Sequence, residues 1–218
     1  MIRIEKSLWL EHTFVEVIFF TNLLSQPIAE FETLTPKEQD HFRQTQVFAS
    51  EKIRLLGHFN QFSLTMKYDG TLGWLLQSQT KELPGVKTFD PYPNKYHSPM
   101  GFLKSCLGTP YVWGGLSREG IDCSGLSQLY YLQVLGHILP KNSHDQRRLG
   151  KEVDLSEISD HNLLFCHRHD GVGTHHVAIY YHHQIWHARR TGGVVTQTLS
   201  SFLALYRVES IKSIHFFA

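Results

Sequence analysis

The sequence predicts an α+β protein in two parts: a mainly β N-terminal segment, then a helix followed by an antiparallel sheet. Three observations lead there. Phe62, Leu64, Met66 and Tyr68 alternate with Ser63, Thr65 and Lys67, and after Asp69-Gly70 the alternation resumes at Leu72, Trp74 and Leu76. That is the period of a half-buried hairpin around a strong turn signal. Residues 82–98 hold Pro84, Gly85, Pro91 and Pro93 and show neither helical nor strand periodicity. Residues 124–135 place Leu126, Leu129, Tyr130 and Val134 at helical spacing, and short apolar segments follow them.

Each element follows from its residues. Thr35-Pro36-Lys37-Glu38 reads as a helix start, with a cap, a proline in the first turn and a capping-box acid. The helix is expected to run to about Ala49. A small barrel with this helical insertion fits residues 1–81, with a linker over 82–98 and a second domain over 99–218. In that domain residues 176–181 and 194–198 read as strands, and residues 163–167 and 184–187 are further candidates. One helix before several short strands argues for α+β with an antiparallel sheet.

Composition narrows the functional classes. The 218 residues are 41% hydrophobic and 19% charged, with a formal net charge of +1. That balance is ordinary for a globular protein and gives no long-range attraction to nucleic acid or to an anionic membrane. Residues 1–11 carry Arg3, Glu5, Lys6 and Glu11, and the apolar stretch 14–20 is interrupted by Glu16. The expectation is a soluble protein without a classical signal peptide, either cytoplasmic or exported by another route. Three cysteines, Cys106, Cys123 and Cys166, do not make a disulfide framework. Oligomeric state is not legible.

One cysteine stands apart. Residues 109–125 read TPYVWGGLSREGIDCSG, a glycine-punctuated loop ending at Asp122-Cys123 where the helix begins. Asp122 suits the N-cap and puts Cys123 in the first turn. Unpaired N–H groups and the positive end of the helix dipole favour a thiolate there, so a lowered thiol pKa is expected. A thiol nucleophile needs a base. His175 and His176 open a strand, and since neighbouring strand side chains face opposite ways, only one faces the cysteine. His187 lies in the next strand candidate, where a hairpin would set it beside His176 to orient that ring.

These residues resemble the NlpC family of bacterial cell-wall cysteine peptidases, which have a papain-like α+β fold. Pro110-Tyr111-Val112-Trp113-Gly114-Gly115 with Asp122-Cys123-Ser124-Gly125 resembles the nucleophile loop and helix. Leu139-Pro140-Lys141-Asn142-Ser143 with Gln146 resembles the following segment. His176-Val177-Ala178-Ile179-Tyr180 and Trp186-His187-Ala188 resemble the strands bearing the base and the third polar residue. The resemblance implies Cys123 as nucleophile, His176 as base and His187 as the residue orienting it. It implies Tyr111, Trp113, Asp122 and Ser124 near the substrate. His175 matches no family role. His161-Asn162-Leu163 stands where the family has Gly-Asp-Leu, and His182-His183 replaces a glycine after the base strand. Asp69-Gly70 to Gly73-Trp74-Leu75 resembles bacterial SH3-like domains, which narrow the cleft and favour short peptides with a free N-terminus. The implied substrate is a murein peptide cut between D-glutamate and a diamino acid, with no cofactor.

Three rival readings remain. The dense histidines His167, His169, His175, His176, His182, His183 and His187 offer metal ligands, but no acidic ligand lies at a zinc-site spacing, so no metal is expected. A retained fold that binds wall peptides without cutting them is the second. Other thiol chemistry on the same fold, amidase or acyl transfer, is the third. Arg189-Arg190 is either a basic turn or a contact for a substrate carboxylate.

Overall fold

In the computed structural model the described residues are 13–83, 96, 98–171 and 175–214. The expectations for residues 1–11, and for Pro84, Gly85, Pro91 and Pro93, lie outside them. The chain divides into two compact units, Met1–Pro93 and Asn94–Ala218.

The first unit is an antiparallel sheet with one helix. Its strands are β1 (Phe14–Val17), β2 (Thr21–Leu24), β3 (Arg43–Val47), β4 (Lys52–Phe59), β5 (Phe62–Met66), β6 (Leu72–Leu76) and β7 (Thr80–Leu83), with α1 (Pro36–Phe42) between β2 and β3. They run in the order β3-β2-β6-β5-β4-β1-β7. The expected hairpin is β5–β6, with Gly70 at φ +82° in its turn. Gly73 is required where β6 meets β2, because a Cβ there would lie 2.4 Å from Leu23 Cγ.

Three details differ from expectation. Helix α1 stops at Phe42, not near Ala49. Its start is as read: Pro36 stands in the first turn, and the Glu38 carboxylate accepts from the N–H and the hydroxyl of Thr35. Its end is decided by tertiary pairing, since Thr45 and Val47 are buried in β3 against β2. The hairpin is covered on both faces. Phe62 and Trp74 join one apolar cluster, Leu75 joins another with Val15, Leu23 and Leu55, and Ser63 and Thr65 are buried as well. Finally, Glu82 and Leu83 belong to β7, paired with β1, and not to an aperiodic linker.

A buried ion pair lies in this unit. Lys67 Nζ is 2.8 Å from Glu51 Oε1, with side-chain exposures of 0% and 1%. Lys67 also donates to the Gln46 carbonyl, and the other Glu51 oxygen accepts from the Phe48 N–H.

The second unit has the predicted α+β order. Helix α2 (Pro99–Cys106) is followed by the short pair β8 (Leu116–Ser117) and β9 (Gly120–Ile121), then α3 (Cys123–Tyr130) and α4 (Ser143–Gln146). The sheet comprises β10 (Lys151–Glu152), β11 (Leu163–Arg168), β12 (His176–Tyr181), β13 (Gln184–Arg189), β14 (Gly193–Thr198) and β15 (Tyr206–Ser213), with α5 (Leu199–Leu203) between the last two. Its order is β10-β15-β11-β12-β13-β14, antiparallel throughout. Leu164, Cys166, Ala178, Tyr180, Ile185, Phe202, Tyr206 and Ile211 form its core cluster. The nucleophile helix is α-helical only to Tyr130. Residues Tyr131–Leu135 wind as a π-helix that ends at Gly136 with φ +74°. The Tyr131 hydroxyl donates to the His161 carbonyl, tying that helix to the turn before β11.

Both departures from the family pattern fall in turns. His161, at the family's glycine position, adopts φ +74°. His182 and His183 have φ +51° and +60° and close the β12–β13 hairpin, the conformation of a two-residue primed turn.

The Lys67–Glu51 pair generates a stability prediction. Lys67→Met leaves a carboxylate buried without its counter-charge, which costs about 3–5 kcal/mol. The expected result is a marked fall in the urea unfolding midpoint, largely recovered by adding Glu51→Leu. An unchanged midpoint for Lys67→Met alone would contradict it.

Candidate active site

The site is built on the start of α3. Asp122 is the N-cap, and both of its carboxylate oxygens are engaged. Oδ1 accepts from the Gly125 N–H at 2.6 Å and the Ser124 hydroxyl at 3.0 Å, and Oδ2 accepts from the Gly114 N–H at 2.7 Å. One carboxylate therefore caps the helix and fastens the glycine loop to it. The loop sits so close that a Cβ at Gly125 would lie 2.2 Å from the Gly115 carbonyl oxygen. Only glycine permits that approach. A second clasp holds the far side. Buried Gln146 accepts from the Ser127 hydroxyl and donates to the carbonyls of Ser124 and Pro140.

This scaffold fixes Cys123, whose residue is 8% exposed. The Val177 N–H reaches the Cys123 sulfur, as do those of Ser124 and Cys123 itself. Because Val177 follows His176 directly, the start of β12 lies beside the thiol. His176 Nε2 is 2.8 Å from His187 Nδ1. His187 is fully buried, and β13 places it next to β12 as the hairpin expectation required. The ring of His176 stacks on Tyr206 with centroids 5.2 Å apart, and His187 meets Phe202 and Tyr206 edge-on. The imidazole pair is thus held by an aromatic wall from α5 and β15.

Electrostatics run against one expectation. Helix N-terminal placement was expected to lower the Cys123 pKa. Burial instead pushes the thiol up to about 12, the Asp122 carboxylate adds to that, and the three backbone N–H groups only partly offset it. Burial likewise pulls His176 down to about 4, helped by the positive charges of Arg168 and Arg189. His187 is held far below the ordinary imidazole range by burial, then by His176 and Arg189. Each group on its own is therefore neutral at rest. Removing charge from water costs more here than the first turn of a helix returns.

The remaining predicted residues also gather near the nucleophile. The Tyr111 phenol is pushed up, by burial first and then by proximity to Cys123 and Asp122, while the Arg190 guanidinium pulls the other way through a hydrogen bond. Arg190 lies 5.9 Å from the ring centroids of both Tyr111 and Trp113, and Trp113 is 40% exposed. Asp122 and Ser124, expected near the substrate, face each other in the cap. Cys106 and Cys166 are free and buried, in α2 and β11.

Sequence reasoning missed three contributors. Tyr206 and Phe202 come from the far end of the chain, and no local pattern ties them to a histidine. Gln197 was read only as part of a strand. It lies diagonally across from His187 on the same face of β13–β14, the Nε2 atoms of both are buried, and its side chain is near enough to hydrogen-bond the His187 ring and oppose the fall in its pKa. Arg190 was visible, but its stacking on two loop aromatics was not.

Comparisons with known proteins agree with this geometry. Residues 108–210 match the NlpC/P60 family model. Over 95 residues the chain is 37% identical to a "Probable endopeptidase" of Haemophilus influenzae, covering 43% of this chain and 59% of that protein. Over 75 residues it is 40% identical to a "Gamma-D-glutamyl-L-lysine dipeptidyl-peptidase" of Bacillus subtilis, covering 34% of this chain and 25% of that protein. The chain thus spans less than two thirds of these relatives. Among solved structures, the NlpC/p60 domain of the peptidoglycan hydrolase SagA is 30% identical with a TM-score of 0.45, covering 53% of this chain and 96% of that one. With a cysteine opening a capped helix, two coupled histidines on adjacent strands and this family match around them, residues 108–210 are an NlpC/P60 family domain.

Proposed function

We propose that this chain is a cysteine peptidase that hydrolyses murein peptides at the bond between the γ-carboxyl of D-glutamate and a diamino acid. The observation that carries the reading is the His176–His187 pair at 2.8 Å, half-buried at His176 and fully buried at His187, adjoining the residue whose N–H reaches Cys123. The relatives' names supply the reaction class, and the Bacillus subtilis name supplies the bond.

The tautomers follow from the chemistry. For His176 to act as base on Cys123, its Nε2 carries the proton and donates to His187 Nδ1, leaving Nδ1 free to accept. His187 then carries its proton on Nε2, which the Gln197 side chain receives when its amide oxygen is turned inward. Gln197 is thereby a positioning residue. The thiol loses its proton to His176 as the sulfur attacks the γ-carbonyl carbon, so no stable ion pair is needed beforehand. The oxyanion is held by the Cys123 N–H and the Tyr111 hydroxyl, which its raised pKa keeps protonated. His176 then protonates the leaving amine, the C–N bond breaks, and water activated by the same ring resolves the thioester.

The substrate wall in this reading comprises Tyr111, Trp113 and Ser124, with Asp122 setting the loop through its cap. Arg190, stacked on two aromatics, offers a fork-shaped donor to a substrate carboxylate. We read the first unit as an SH3-like accessory domain, supported by its antiparallel sheet and the hairpin at Asp69-Gly70. Such a pairing favours short peptides with a free N-terminus. The proposed partner is the murein peptide alone, with neither nucleic acid nor membrane. Among the described residues no helix is long and apolar enough to cross a membrane.

Three measurements test this. Mass spectrometry of muropeptides incubated with the protein is expected to show release at the γ-D-glutamyl bond. No cleavage there, with turnover of a lipid ester or a different amide, would replace the reading. In the same assay Cys123→Ser and His176→Ala should each lose roughly 10³-fold or more, and His187→Ala roughly 10²-fold. Cys106→Ala and Cys166→Ala should retain activity, whereas wild-type rates in His176→Ala would contradict the assignment. Alkylation of Cys123 by iodoacetamide is expected to accelerate steadily as pH rises from neutrality toward the thiol's value of about 12. A rate already at its plateau in mildly acid solution would show a preformed thiolate–imidazolium pair instead.

A further inference from the structure

The histidine the active site does not use lies in a second cluster. His175 precedes β12 by one residue, so it faces away from the side occupied by His176. There it meets His167 of β11, with ring centroids 4.8 Å apart, and Glu209 of β15. One candidate ligand atom from each of the three lies within 4.8 Å of the others. His167 Nε2 is already 2.9 Å from Glu209 Oε1.

The sheet register explains how three distant residues meet. Strand β11 lies between β12 and β15, so its end is flanked by both. Phe165 pairs with Ser210 and Cys166 with Val208, which leaves Glu209 as the extra residue of a β-bulge. Bulges re-aim a side chain and recur beside functional sites. The sequence concealed this arrangement, because Glu209 lies far along the chain from the histidines. The adjacent motif misleads as well: His169 is engaged with the Leu203 carbonyl and takes no part in the cluster.

We propose that His167, His175 and Glu209 form a binding site for a divalent transition metal of the zinc class, separate from the Cys123 centre. Two imidazoles and a carboxylate are a ligand set that zinc uses, with its fourth position open to water. A tetrahedral ion with bonds of about 2.0–2.1 Å needs ligand atoms roughly 3.3 Å apart. A side-chain adjustment of about 1.5 Å from the observed spread achieves this. His175 and Glu209 are exposed and His167 is half-buried, so most of that adjustment falls on side chains open to solvent. The carboxylate is prepared for the role. Arg147 Nη1 donates to its Oε2 at 2.6 Å and leaves Oε1 toward His167, the outer-shell support that metal-ligating carboxylates have. Burial is the largest single influence on Glu209 and raises its pKa, but Arg147 and His167 together outweigh it and leave the net shift downward. The ring of His144 stands 6.0 Å from that of His175, within reach as a fourth ligand.

Titration of the full chain with Co²⁺, read by its visible absorption and then competed with Zn²⁺, tests the site. One equivalent is expected to bind, with a spectrum lacking thiolate charge transfer and unchanged in Cys123→Ser. His167→Ala, His175→Ala and Glu209→Gln should each weaken binding roughly 10–100-fold. His169→Ala and His183→Ala should leave it unaltered. These are exposed or half-exposed positions, and wild type alone already decides the ligand type. Failure of wild type to bind saturably, a thiolate band lost in Cys123→Ser, or wild-type affinity in all three ligand variants would each overturn the proposal. None of these outcomes depends on which peptide bond the protein cuts.

Discussion

The Asp122 carboxylate is the constraint on which the site depends. It takes three donors, two backbone N–H groups and the Ser124 hydroxyl, from the first turn of α3 and the glycine loop at Gly114, and reinforces the bond from the Asp122 N–H to the Gly115 carbonyl. An N-cap alone stabilises a helix by about 0.5–2 kcal/mol. Here the same group also fixes the loop that carries Tyr111 and Trp113, so the position of the thiol and that of the wall beside it are set by one side chain. The contact of Gly125 with Gly115 leaves no room for a looser arrangement. Burial makes the Asp122 pKa rise, and its three donors act against that rise. The cap is thus costly to form and, once formed, well defined.

The same burial shapes the chemistry. A sulfur at a helix start suggests an anion, and the first-turn N–H groups do favour one. Yet the thiol is almost enclosed, its neighbour Asp122 is a carboxylate, and the histidines beside it lie under Phe202 and Tyr206. Desolvation acts on both partners in the same sense, toward the uncharged thiol and the uncharged ring. A pair arranged this way holds little charge before substrate arrives. In the proposed reaction charge develops only with the transition state, which Tyr111 and backbone N–H groups meet. Preorganised dipoles contribute most under those conditions.

What was legible in the sequence follows from range. The cap, the place of Cys123 in the first turn of α3, the hairpin of β12 and β13 and the turn at Asp69-Gly70 are encoded within a dozen residues each, and all were read from local pattern. Helix α1 was read correctly at its start, where Thr35, Pro36 and Glu38 act locally, and wrongly at its end, where pairing of β3 with β2 overrides helical propensity. Strand β5 was read as half-buried because Ser63 and Thr65 are polar, although both are enclosed, Thr65 donating to the Gly73 carbonyl. The polar alternation marked a strand but not its exposure. Tyr206, Phe202 and Gln197 could not be found at all. Each acts on the histidines across a sheet whose order is not the order of the chain.

Strand β12 shows how one short segment serves two surfaces. Its alternation sends His176 toward the aromatic wall and His175 to the other side, so neighbouring residues of identical chemistry meet different surroundings. His176 loses water, gains an imidazole partner and has its basicity depressed. His175 stays exposed and meets a histidine and a bulged glutamate. The sequence offers His-His and leaves the choice open. The choice is made by the pleat of β12, since moving its register by one residue would exchange the two faces, while the bulge in β15 brings Glu209 to His167. The pleat of that strand, more than the identity of its residues, therefore decides which histidine meets His187 and the aromatic wall and which meets His167 and Glu209.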